Sequence, residues 1–185
     1  MFGKPFLLVI CVMVLVGTAA AWDMRQRRVP NLLVFPATLL GVVLQLALSG
    51  WQGGLAAFGG MAVGLVLLLP GYLLGTTGAG DVKLMAAVGT FLGPQEAALA
   101  ALGSIAVGSV VALGYAASSL FQRNSVSPWR RYGLMFRTFF TTFQPVYLAP
   151  AEGEVMGRKF PFAVSIALGT TLLLAWPLIQ ARLPV

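Results

Sequence analysis

Apolar residues run in long stretches along the chain, at 5–22, 32–49, 54–75, 82–93, 96–121 and 161–180, and polar residues gather in the gaps between them. Most stretches approach the ~20 residues that an apolar helix needs to cross a bilayer. The pattern predicts an all-α polytopic membrane protein, a bundle of about six transmembrane helices. The stretch 82–93 is the exception. As a helix it is only about 18 Å long, and Gly93-Pro94 ends it. It is expected as a short or partly inserted helix, shielded from lipid by its neighbours. In the third stretch Gly60, Gly64, Gly71 and Gly75 recur on one helical face, which predicts a surface that another helix can approach closely. Pro70 is expected to kink this helix just before a glycine-rich loop.

Composition agrees with this class. At 58% hydrophobic and 9% charged residues, the chain is more apolar than a soluble core of its size requires. Histidine is absent and Cys11 is the single cysteine, which excludes an internal disulfide and a Cys/His zinc cluster. No metal and no cofactor are expected, and Cys11 reads as a small buried hydrophobe.

The net charge of +7 lies in the gaps. Arg25, Arg27 and Arg28 follow the first stretch, Lys83 follows the third, and Arg123, Arg130, Arg131, Arg137, Arg158 and Lys159 precede the last. Ten of the 12 basic residues thus fall on one side, leaving Lys4 and Arg182 on the other. The positive-inside rule makes the richer side cytoplasmic and places both termini outside. Anionic lipid headgroups are the expected partners on that side. No nucleic-acid-binding module is present, so no nucleic-acid partner is expected.

Lys4 before an apolar stretch and Ala19-Ala20-Ala21 at its end resemble a cleavable signal peptide. Cleavage there would leave the arginine cluster on the wrong side, so the stretch is read as a retained span. Residues 1–185 then form a single transmembrane domain, with 122–160 a cytoplasmic interfacial loop. In that loop Trp129, Tyr132, Phe136, Phe139, Phe140 and Phe143 mingle with Arg130, Arg131 and Arg137, a composition suited to the headgroup layer. Glu152 and Glu154 read as a solvated turn, and Glu96 as a helix start on the outer side.

Two acids remain, and they are the only aspartates: Asp23 and Asp81. Each sits where an apolar stretch meets a polar loop on the predicted cytoplasmic side. Ionisable groups at membrane depth are costly and point to function. Two carboxylates that share one proton can hydrolyse a peptide without a metal or a nucleophilic side chain. The ionised one takes a proton from water while the protonated one hydrogen-bonds the scissile carbonyl. Like charges a few ångströms apart do not both ionise cheaply, so such a pair titrates in coupled steps. Gly78 and Gly80, in Gly78-Ala79-Gly80-Asp81, are expected to let backbone approach a substrate and to let the chain turn sharply into the next helix.

The run Asp23-Met24-Arg25-Gln26-Arg27-Arg28-Val29-Pro30-Asn31 after the first stretch, with Gly78-Ala79-Gly80-Asp81-Val82-Lys83-Leu84-Met85 after the third, resembles the prepilin peptidases, or type IV leader peptidases. A third string, Gly157-Arg158-Lys159-Phe160-Pro161-Phe162-Ala163, resembles the Pro-aromatic opening of that family's final helix. The resemblance implies a membrane aspartyl endopeptidase with a Gly-x-Gly-Asp core, in which Asp23 and Asp81 are catalytic and Gly78 and Gly80 are the motif glycines. Pro30, Asn31 and Lys83 belong to the supporting motif, with Lys83 holding Asp81 or, by preference, binding lipid phosphate. The implied substrates are precursors of type IV pilins and pilin-like proteins, cut at the cytoplasmic face after a basic leader. Larger family members carry paired Cys-x-x-Cys motifs in an additional domain and methylate the new N-terminus. With one cysteine, this chain resembles the short subgroup that serves Flp/Tad-type pili, which argues against methyltransferase activity.

Two other readings stand beside this one. A small transporter or proton relay would use the aspartates as ligands, although such sites lie near the midplane. A noncatalytic assembly subunit would need no paired acids.

Overall fold

The computed structural model describes residues 5–120 and 161–180, together with 133, 134, 137, 138 and 141. Among the described residues the fold is all-α, with the long helices α1 (Phe6–Gln26), α2 (Asn31–Leu73), α3 (Ala79–Leu92), α4 (Pro94–Leu120) and α5 (Phe162–Gln180). Three of these five are long and apolar enough to cross a membrane over Phe6–Gln26, Asn31–Leu73 and Pro94–Gly114. Large side chains such as Val14, Leu39, Val43, Phe58, Val66, Val110 and Leu172 stand exposed on their outer faces. That is the surface expected where lipid replaces water.

The hydropathy pattern predicts separate segments at 32–49 and 54–75, and the structure joins them in one 43-residue element broken at Gly50, whose φ of 58° and ψ of −147° are not helical. The two arms run in opposite directions along α3. Going up the first arm, Asn31 meets Lys83, Gly41 meets Thr90 and Phe91, and Gln45 donates through Nε2 to the Phe91 carbonyl at 2.8 Å. Going along the second, Gly60 meets Gly89 and Gly64 meets Met85. The chain therefore doubles back at Gly50, a backbone conformation that favours glycine.

α3 lies at the centre, touching the other four helices. Every residue from Leu84 to Leu92 is buried. A helix covered on all sides needs an apolar surface all round, which explains why the shortest apolar stretch is not a lipid-facing span. Its fit against α2 depends on missing side chains. A Cβ on Gly60 would run into the Gly89 carbonyl, and one on Gly89 into the Gly60 carbonyl, while a Cβ on Gly64 would stand 2.5 Å from the Met85 oxygen. The predicted glycine face is thus real at Gly60 and Gly64. It does not extend to Gly75, which lies beyond the helix end with a φ of 72°. There the Gly75 N–H donates to the Tyr72 carbonyl and the Gly71 carbonyl accepts from Thr76 and Thr77, closing α2 and turning the chain toward α3.

α5 runs antiparallel to α1, joined at Ala163–Asp23 and Thr171–Met13. It is also antiparallel to α4, where Gly103 faces Gly169 and Gly108 faces Phe162. The end of α1, the start of α2, the start of α3 and the start of α5 therefore share one end of the molecule. Glu96 lies at the other end, in the first turn of α4 as expected, and is buried. Most of the segment 122–160, including Glu152, Glu154 and the aromatic residues of its predicted interfacial surface, falls outside the described residues; Gly133, Leu134, Arg137, Thr138 and Thr141 within it are helical.

Candidate active site

Asp23 reaches the shared end on the last turns of α1. Its side chain faces the core with Leu15, Val16, Ala19 and Ala20, and the residue is only 5% exposed. The helix stops four residues later because Arg27 takes a left-handed φ of 52°, its N–H donating to the Asp23 carbonyl. A left-handed conformation costs a non-glycine residue roughly 1–2 kcal/mol, and it is placed beside the acid.

The Asp23 carboxylate is held from α5. Its Oδ2 accepts the Ala163 N–H at 3.2 Å. Ala163 is the second residue of a helix preceded by Pro161, so its N–H has no partner within the helix and points outward with the positive end of the helix dipole. A carboxylate is the natural occupant of that position. The last helix is thus tied to an acid 140 residues away in sequence. Ala163 is a site residue that composition does not reveal; its signal is the Pro161-Phe162 helix start.

Asp81 is the third residue of α3 and is 8% exposed. Its Oδ2 accepts the N–H of Gly78, the N-cap residue, at 2.9 Å, which is the carboxylate half of a capping box. Asp81 and Asp23 thus stand buried at the same end of the molecule. Each acid has one oxygen anchored by a backbone N–H. Among the described residues no other hydrogen bond engages either side chain.

The two motif glycines work by space. Gly78 has an ordinary extended φ of −84°; the sharp turn expected of it is made by Gly75 instead. A Cβ on Gly78 would crowd Asp81 Oδ2 at 3.1 Å, and one on Gly80 would press on Val29 Cβ at 3.2 Å. Gly80 thereby seats the α1–α2 connection directly against the start of α3. Pro30 is the N-cap of α2, its carbonyl accepting from Leu33 and Val34. Lys83 points away from Asp81. Its Nζ donates to Asn31 Oδ1 at 3.2 Å and lies 5.6 Å from the centre of the Phe35 ring.

A model of the type IV leader peptidase family matches residues 8–113, more than half of the chain and a span that contains Asp23, Gly78, Gly80 and Asp81. The chain belongs to the type IV leader peptidase family. It is an aspartic-type prepilin peptidase, with membrane helices. No curated protein and no solved structure matches the chain. Family membership carries with it prepilins as the class of substrate.

Proposed function

We propose that Asp23 and Asp81 are the catalytic pair, and that the protein removes the basic leader of Flp/Tad-type prepilins and pilin-like proteins at the cytoplasmic face of the bacterial inner membrane. The observation that carries this reading is the convergence at one end of two buried carboxylates, each anchored through a single oxygen by the N–H of a helix start. Six passes follow from counting the two arms of α2 separately, and they put Arg25, Arg27, Arg28 and Lys83 at the aspartate end, where the positive-inside rule calls for the cytoplasm.

In the proposed reaction, Asp23 is ionised and Asp81 protonated. Asp23 takes a proton from water as the water oxygen bonds to the scissile carbonyl carbon, while Asp81 donates a hydrogen bond to the carbonyl oxygen. Breaking the C–N bond returns the proton to the leaving amine, which is the new N-terminus of the pilin. Two like charges at one buried end do not both ionise cheaply, so a single proton on the pair is favoured. The anchoring N–H groups fix both carboxylates before substrate arrives, so little reorganisation is needed in the transition state.

Co-expression with a prepilin tests the assignment. Asp23→Asn and Asp81→Asn are expected to leave the precursor uncut while the variants still insert. A shortened pilin in either case contradicts it. A proton relay would leave cleavage intact in both variants, and the placement of both acids at one end rather than at mid-depth disfavours it. Cleavage is also expected to survive strong chelators and thiol-blocking reagents, since neither histidine nor a cysteine near the site is involved. Chelator inhibition reversed by a divalent ion contradicts a two-aspartate mechanism.

A further inference from the structure

Lys83 follows Asp81 by two residues, and side chains two apart on a helix do not face each other. Its ammonium instead crosses to the start of α2, donating to Asn31 Oδ1 at 3.2 Å and lying over Phe35 at 5.6 Å from the ring centre, within cation–π range. A few residues back, Gly80 leaves room for Val29. The connection that follows Asp23 is thus clamped onto the helix that carries Asp81 at two separate points, one steric and one polar. No other described polar side-chain contact joins the start of α2 to the start of α3.

We propose that Lys83 and Asn31 form a positioning latch that sets the separation of Asp23 and Asp81, and that Lys83 acts through Asn31 and Phe35 rather than on substrate, on lipid or on Asp81 directly. This rests on the two-aspartate reading above. The latch fixes the α1–α2 connection relative to α3. Its loss lets the two carboxylates drift from the spacing at which one water and one carbonyl fit between them, and misplacements of about 1 Å are enough to slow a reaction severely.

The test is steady-state cleavage of a prepilin peptide by the full-length protein in uncharged detergent. Lys83→Met and Asn31→Ala are each expected to lower kcat about ten-fold with KM within about two-fold of the parent. Combined, they should be no worse than the poorer single variant, because each removes the same link. Lys83→Arg should retain activity within a few-fold, since a guanidinium donates to Asn31 and stacks on Phe35. Asn31 is exposed, so its truncation leaves the fold intact; should Lys83→Met fail to accumulate, an unchanged kcat in Asn31→Ala alone overturns the latch. Effects that multiply, a change confined to KM, or a loss seen only in anionic bilayers overturns it too. Asp23→Asn and Asp81→Asn run alongside: activity retained in them refutes the aspartate pair itself, whereas their inactivity together with multiplying latch effects refutes the latch alone.

Discussion

Asp81 is buried at the head of a membrane pass, with one carboxylate oxygen held by the Gly78 N–H. A charge at that depth is costly. Asp81→Asn keeps an oxygen for the Gly78 N–H and removes the charge. It is therefore expected to hold or raise the thermal midpoint at pH 7.5 and to abolish cleavage. A clearly lowered midpoint contradicts this account of its burial. Both aspartates were legible in the sequence because acids are so rare in it. Their anchors were less so: a backbone N–H belongs to no residue type, and the hold of Ala163 on Asp23 depends on where α5 begins.

At the scale of elements, glycine decides how closely α2 and α3 approach. Gly60 and Gly89 meet backbone to backbone, so a methyl group has nowhere to go. Overpacking of this kind costs about 1–3 kcal/mol, and it also displaces the helix that carries Asp81. Gly89→Ala is expected to lower the thermal midpoint and cleavage together. Gly17 lies in the exposed face of α1, where an added Cβ would meet nothing within 4 Å, and Gly17→Ala should be neutral or stabilising by up to about 1 kcal/mol. Similar destabilisation in both variants contradicts the packing argument. Spacing alone revealed the face of Gly60 and Gly64, since helical periodicity is local. It missed that Gly75 leaves the helix, and that the segments 32–49 and 54–75 are continuous apart from Gly50, because an apolar run has no feature that distinguishes a short polar gap from a single broken residue. Gln45 was equally silent: a lone amide in a span gains meaning only when the end of α3 is packed against it.

For the whole molecule, the aspartates, the arginines after α1, the end of α4 and the start of α5 all gather at one end among the described residues, which suits the proposed cleavage at a membrane surface. Arg130, Arg131 and Arg137, with the aromatic residues around them, are proposed to lie in the headgroup layer at the rim of the site. The substrate leader is proposed to be basic as well, so anionic lipid would bridge the two. Neutralising these arginines should weaken cleavage more in anionic bilayers than in uncharged detergent; equal activity in both media reduces them to topology signals. The aspartate pair is tested most directly with purified protein in detergent, a synthetic prepilin peptide and mass spectrometry of the products. The parent chain should release leader and shortened pilin, and Asp23→Asn and Asp81→Asn, still folded by thermal melting, should release neither. Cleavage at the parent rate by either variant would contradict the central claim.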